Sequence, residues 1–250
     1  HSTHLRIGED VVSGHLKSVY RYVLAHPDQF HRIIVSTEHQ KRDLLARYDN
    51  LPPVVVIPVG YTTVHPVKID GRDPHRIISV ARYSPEKQLP HQLEVVRRLV
   101  GEFPDLTLQL FGHGQKIEMQ MRQFIQANHL EKNIVIRGFL PNLAEEYQRA
   151  SLALMTSVEE GFSLATMEAE SYGVPVIGYR IAYGPEDIIE DGVNGYLVTP
   201  NDVDELTMKV RQYLQHPERQ AQLITNAYNS ATRYSKQTII EKWRQLIAAL

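Results

Sequence analysis

Apolar positions in the second half of the chain come in short runs separated by longer stretches of helical period. The runs Arg76–Ala81, Leu106–Gly112, Asn133–Gly138, Ser151–Thr156, Pro175–Tyr179 and Gly195–Val198 are apolar on both faces, as strands of a sheet buried on both sides are. Between them Leu89, Leu93, Val96 and Val100 recur at helical spacing. So do Ile117, Met121 and Phe124, and then Val203, Leu206, Val210 and Tyr213 behind a cap at Asn201 or Asp202. A last helix is expected to carry Ile239, Trp243, Leu246 and Leu250 on one face. Alternation of this kind predicts an α/β fold, a doubly wound parallel sheet of the Rossmann-like type. Such a sheet takes its ligand at the carboxyl ends of its strands.

The first 60 residues follow a different plan. Asp10–His26 reads as a helix, Phe30–Ser36 as a strand, Glu38–Tyr48 as a second helix and Val54–Pro58 as another strand. Tyr61–Pro74, with its prolines and glycine, reads as a connector. The expected division is an accessory segment over 1–60 and an α/β domain over 61–250. The chain opens at His1-Ser2-Thr3-His4 without a Met, so it reads as a piece of something longer.

Composition narrows the function classes. The chain has 250 residues, 42% hydrophobic and 22% charged, which suffices for a sizeable core. A net charge of -2 points to neither nucleic acid nor a membrane surface. The absence of cysteine removes disulfides, thiolate metal sites and a cysteine nucleophile, and fits a reducing compartment. No apolar run reaches the length of a membrane span and no leader peptide is visible. His1 and His4 lack a third ligand in sequence, so no metal site is expected.

Four strand ends carry candidate chemistry. Glu159–Ala169 follows the strand Ser151–Thr156. Gly161 permits a tight turn there, and Ser163 is placed to cap the next helix, whose free amides attract anions or hydroxyl oxygens. Glu160 and Glu168 are eight residues apart, one in the turn and one on the helix, and suit a ligand with several hydroxyls. The bland alternative is a pair of solvated glutamates. Arg82 and Lys87, after the strand Arg76–Ala81, could grip a diphosphate; alternatively Lys87 pairs with Glu86 or Glu94 at the surface. Gly112, His113 and Gly114 offer a backbone turn that passes close to a ligand, or a plain tight turn. Phe139 and Leu140, after the strand Asn133–Gly138, could flank a flat base or belong to the core.

Taken in order, Arg82–Lys87, Gly112–Gly114, Gly138-Phe139, Glu160–Glu168, Tyr183–Ile189 and Asn194–Val198 resemble the C-terminal domain of retaining GT-B glycosyltransferases of family 4. The upstream stretches His1–His4, Phe30–Asp43 and Ile57–Gly60 resemble the bacterial group that glucosylates poly(glycerol phosphate) teichoic acid. A related branch adds N-acetylglucosamine to wall teichoic acid or to Ser-rich surface proteins. The resemblance implies a UDP-sugar donor, UDP-glucose or UDP-N-acetylglucosamine, and no metal or other cofactor. It implies that Arg82 and Lys87 hold the diphosphate. Glu160 and the amides of Gly161, Phe162, Ser163 and Leu164 contact the donor sugar, and Glu168 the ribose hydroxyls. Gly112, His113, Phe139 and Leu140 surround the nucleoside, and His4 approaches the sugar. Implied partners are a polyanionic or protein acceptor and an N-terminal domain to which the last helix crosses back, with a homo-oligomer or peripheral membrane association open. The implied location is cytoplasmic, at the inner face of the membrane. The fragment alone is expected to bind nucleotide weakly and to catalyse poorly or not at all.

Overall fold

The structure, a computed structural model, describes residues 18–65 and 71–250. Six parallel strands form the main sheet: β3 (Asp73–Val80), β4 (Thr107–Phe111), β5 (Ile134–Gly138), β6 (Ala150–Met155), β7 (Val176–Tyr179) and β8 (Gly195–Val198). Their spatial order is β5-β4-β3-β6-β7-β8. The chain winds outward from β3 to β5, then returns to β6 and winds the other way. The reversal puts a topological switch point between the carboxyl ends of β3 and β6, where an open parallel sheet opens a crevice. Before this sheet, β1 (Ile33–Val35) and β2 (Val54–Val56) make a separate two-stranded parallel sheet.

Strand alternation divides the core. Ile77, Leu108, Leu110, Leu152, Leu154, Ile177 and Val198 face one layer of helices and are buried there. These helices are α3 (Leu89–Leu99), α4 (Gln115–Ala127) and α8 (Val203–Gln215). They contribute Leu89, Leu93, Val96, Met121, Leu206, Val210 and Tyr213, with Ile117, Phe124 and Val100 packed alongside. Successive residues of the same strands, Ile78, Phe111, Ala153, Met155, Val176 and Leu197, point to the opposite face. There they meet α5 (Ala144–Arg149) and α6 (Leu164–Ser171) through Tyr147 and Ala169. Replacing one of these buried aliphatics by alanine costs about 2–5 kcal/mol.

The apolar pattern therefore placed all six main strands. β3 begins at Asp73 rather than Arg76, with Pro74 near its start, where a missing amide is tolerated. Asp202, not Asn201, caps α8 by accepting from the Glu205 amide at 2.8 Å. Gly173, at φ 68°, closes α6 with its amide on the Glu170 carbonyl, and Pro175 follows. Three helices had no place in the sequence reading: α5, α7 (Pro185–Ile188) and α9 (Pro217–Ala231). The last helix, α10 (Lys236–Ala248), buries Ile239 and Leu246, but Trp243 and Leu250 are exposed, so its expected apolar stripe is only half covered.

In the first segment, α1 (Ser18–Ala25) and α2 (Glu38–Arg47) flank the small sheet. The first part of the helix expected over Asp10–His26 lies outside the described residues, as does His4. Leu44 of α2 packs on Ile33, Val35 and Val54. Its polar side reaches the main domain: Gln40 donates to the Gly161 carbonyl at 3.1 Å, His39 lies 3.0 Å from Asp187, and the Tyr183 hydroxyl donates to Asp43. No helix among the described residues is long and apolar enough to cross a membrane.

Candidate functional site

The loop after β3 is fastened to the loop after β6. Thr156 donates its hydroxyl to the Lys87 carbonyl at 2.8 Å and accepts from Gln92 of α3 at 2.9 Å. The Val158 amide donates to the Glu86 carbonyl at 2.9 Å. This lacing brings Lys87 opposite Glu160 across the switch point. Lys87 Nζ and Glu160 Oε1 are 2.6 Å apart, and the Ser157 hydroxyl donates to the same oxygen at 2.8 Å. The Lys87 and Glu160 side chains are only 14% and 16% exposed. Glu160 is thus no solvated glutamate. Lys87 takes neither expected surface partner: Glu86 binds Ser84 and Arg82, and Glu94 binds Arg97 and Arg98.

A cavity of about 370 Å³ opens over this pair, lined by Arg82, Lys87, Ser157, Glu160 and residues 161–165. A second, of about 400 Å³, lies beyond the ends of β4 and β5 and is lined by Gly112, His113, Phe139, Leu140 and Glu168. Arg82 lines both. Its side chain is 73% exposed and holds Glu86 alone among the described residues, at 3.3 Å, so its guanidinium can turn to either cavity. Phe139 is 69% exposed and meets the His113 ring edge to face. Phe139 is therefore not core, and its uncovered ring beside the cavity is available for stacking. Glu168 is half-buried and accepts from the Tyr147 hydroxyl at 3.3 Å. Burial pushes its carboxyl above the usual range, against the Tyr147 hydrogen bond.

Several backbone expectations need correction. The tight conformation of the turn between β6 and α6 falls on Ser163, at φ 69°, and not on Gly161. Ser163 does not cap α6 through its side chain; its hydroxyl pairs with Thr166 Oγ1 at 2.8 Å. The first-turn amides of α6 therefore receive no cap from the Ser163 side chain, and Ser163, Leu164 and Ala165 line the cavity. Gly112 and Gly114 serve the protein's own packing. A Cβ on Gly112 would lie 1.8 Å from the Ala81 carbonyl oxygen, and one on Gly114 2.1 Å from that of Tyr83. The two glycines let the turn after β4 lie flat on the loop bearing Arg82, where the Tyr83 amide donates to the His113 carbonyl at 2.7 Å.

The stretch Tyr183–Ile189 lies behind the turn. A Cβ on Gly184 would come within 2.2 Å of the Phe162 carbonyl oxygen, so the 183–187 segment props the loop that bears Glu160. Asn194 is buried and donates to Glu170 Oε1 at 3.0 Å and to the Ile188 carbonyl at 3.1 Å. Sequence reasoning missed Ser157, Tyr147 and Gln40. Ser157 had a signal, since it directly follows a strand. Tyr147 had only its helical spacing from Leu143, and Gln40 had none. Among the described residues no three His, Asp or Glu side chains converge as a metal-binding group.

A parallel sheet of this order, with its clefts at the switch point, is the architecture of the C-terminal domain of GT-B glycosyltransferases. The chain belongs to the glycosyl transferases group 1 family, whose profile matches residues 65–230. It is 30% identical over 239 residues to the GtfA subunit of Streptococcus pneumoniae, a UDP-N-acetylglucosamine–peptide N-acetylglucosaminyltransferase, covering 91% of this chain and 47% of that one. It is 27% identical over 240 residues to poly(ribitol-phosphate) alpha-N-acetylglucosaminyltransferase of Staphylococcus aureus, covering 94% and 47%. Identity to poly(glycerol-phosphate) alpha-glucosyltransferase of Bacillus subtilis is 30% over 169 residues, covering 68% and 25%. Among solved structures, S. aureus TarM with UDP, α-GlcNAc-glycerol and fondaparinux superposes with a TM-score of 0.87 at 25% identity, over 98% of this chain and 49% of that one. Pneumococcal GtfA with UDP and GlcNAc gives 0.87 at 27%, over 100% and 51%. The chain spans about half the length, or less, of the curated relatives it matches.

Proposed function

We propose that the chain is the donor-binding half of a retaining, UDP-sugar-dependent hexosyltransferase that passes glucose to a poly(glycerol phosphate) acceptor. The observation that carries this reading is a pair of cavities at the carboxyl ends of the strands that share Arg82 in their linings. One holds Lys87 against Glu160, the other presents bare Phe139 beside Glu168, and Arg82 stands between them. The spacing suits a ligand that is sugar and diphosphate at one end and nucleoside at the other. The UDP in the TarM and GtfA structures supports that class of ligand.

In this reading Phe139 and Leu140 flank the base, with Gly112 and His113 beside it, and Glu168 accepts from ribose hydroxyls. Lys87, released from Glu160, and Arg82, turned inward, take the diphosphate. As the bond from anomeric carbon to phosphate breaks, negative charge grows on the leaving nucleotide, and these two cations stabilise it without a metal. Glu160, relieved of Lys87, accepts from hydroxyls of the sugar next to the amides of residues 161–164. Configuration is retained by front-face attack within an ion-pair-like state, so Glu160 acts as a hydroxyl holder and forms no covalent bond. His4 approaches the sugar.

A second reading has a specific observation behind it. The relatives that match over 91% and 94% of the chain are N-acetylglucosaminyltransferases, whereas the glucosyltransferase matches over 68%. The acceptor would then be wall teichoic acid or a surface protein. A non-catalytic, acceptor-recognising partner is disfavoured because Arg82, Lys87, Glu160 and Glu168 are all in place. The deciding experiment offers the intact protein UDP-glucose and UDP-N-acetylglucosamine in parallel with poly(glycerol phosphate). Transfer from UDP-glucose supports the main reading, transfer from UDP-N-acetylglucosamine alone favours the second, and turnover of neither sinks both.

A further inference from the structure

Glu168 rests on a column of rings that begins in the connector. The His65 ring stacks on Tyr172, with centroids 4.4 Å apart and planes 11° from parallel. Tyr172 stacks in turn on Tyr147, at 5.3 Å and 12°. Tyr147 is 1% exposed, and its hydroxyl donates to Glu168 Oε2 at 3.3 Å. Arg72 clamps the backbone of the same column. Its guanidinium donates to the Tyr147 carbonyl at 3.2 Å, to the Ala150 carbonyl at 2.6 Å and to the Tyr172 carbonyl. The His65 amide donates to the Ser171 carbonyl at 3.3 Å. His65 and Arg72 both belong to the connector, and both hold the segments that carry the two tyrosines.

A glutamate on a helix has several free torsions, and one that faces a cavity ordinarily samples many of them. Here a buried phenol takes one carboxylate oxygen from behind. Burial pushes the Tyr147 phenol well above its ordinary range, so it remains a donor. With Oε2 held, the other oxygen is left for whatever enters the cavity of Phe139 and Leu140.

We propose that Tyr147 is the positioning residue for Glu168, and that the stack with Tyr172 and His65 ties the aim of that carboxylate to the connector. The proposal rests on the reading that Glu168 receives the ribose hydroxyls of a nucleoside diphosphate. Its function is selectivity: a fixed carboxylate discriminates a ribose diol from a sugar that lacks it, and a wandering one does so less well.

The test is titration of the intact protein with UDP and with 2′,3′-dideoxy-UDP. In Tyr147→Phe, UDP affinity is expected to fall about 3- to 10-fold, the range of one ordinary hydrogen bond. Affinity for the dideoxy nucleotide should stay within about 2-fold of wild type. Tyr172→Leu should produce the same selective loss, and Tyr172→Phe, which keeps the stack, should restore the wild-type ratio. A merely structural role would weaken both nucleotides together and leave the ratio unchanged, which overturns the proposal. If the wild-type protein itself does not distinguish the two nucleotides, the ribose assignment of Glu168 falls and the proposal falls with it. If wild type distinguishes them and Tyr147→Phe does so equally, only the proposal is overturned.

Discussion

Glu160→Gln separates the resting role of the Lys87–Glu160 pair from its role with ligand. The substitution keeps the shape and leaves an amide oxygen to accept from Ser157, but removes the charge. At 2.6 Å and an effective dielectric of about 20, two unit charges attract by about 6 kcal/mol. Much of that is offset by the cost of taking both groups out of water, and since each side chain keeps some exposure the net loss should be about 1–3 kcal/mol. For a chain of this size that is a fall in Tm of about 2–12 °C. Nucleotide binding should move the other way. Wild-type protein must break the pair and bring a diphosphate up to a carboxylate. Taking a separation of about 6 Å and a dielectric of about 40, that repulsion is about 1.4 kcal/mol, or tenfold in Kd. Glu160→Gln is therefore expected to be less stable when empty, to bind UDP about tenfold more tightly, and to transfer sugar more slowly, since a neutral amide oxygen accepts from the sugar hydroxyls more weakly than a carboxylate does. Thermal melts with and without UDP, at low salt and at 150 mM, read all three parts once transfer is assayed alongside. A variant that binds UDP more weakly, or melts at the wild-type temperature, would refute the reasoning that Lys87 is held in reserve by Glu160.

Two further outcomes follow from the same geometry. Phe139→Ala should change stability by less than about 0.5 kcal/mol, because the ring is already exposed. It should weaken UDP by about 1–3 kcal/mol while leaving pyrophosphate binding unchanged, as loss of base stacking requires. Glu170, on α6 two residues after Glu168, is fully buried with one carboxylate oxygen unpartnered among the described residues; burial drives its pKa well above 4.5, against Ser230 and Arg233. Its contribution to stability is complete below pH 4.5 and is lost as pH rises, because the unfolded chain ionises first. Glu170→Gln should therefore be more stable than wild type at pH 8, by about 1–3 kcal/mol, and the gap should close towards pH 4.5 in urea melts.

Much of this was legible from the order of residues. Each main strand betrayed itself by an apolar run buried on both faces, because a parallel sheet covered by helices allows no polar side. The strand-end loops then followed from the fold class, and with them Arg82, Lys87, Glu160, Glu168 and Phe139. What stayed hidden depends on contacts between distant segments. The bland alternative gave Lys87 a near neighbour in sequence, but Thr156 and Gln92 tie its loop down so that it meets Glu160. Ser163 adopts the left-handed conformation that the sequence assigns to Gly161, and Thr166 occupies its hydroxyl. Gly112 and Gly114 read as a turn that passes close to a ligand or as a plain tight turn, and neither reading disclosed their close contact with Ala81 and Tyr83. Tyr147 gave no chemical signal, since a tyrosine in a short helix is ordinarily core.

The central claim is that Arg82 and Lys87 grip the diphosphate of a UDP-sugar. Isothermal titration of the intact protein with UDP tests it most directly. A charge-assisted contact is worth about 1.5–3 kcal/mol, so Arg82→Ala and Lys87→Ala should each weaken UDP by about 10- to 150-fold, and the double variant should bind none detectably. Unchanged affinity in both single variants would contradict the claim.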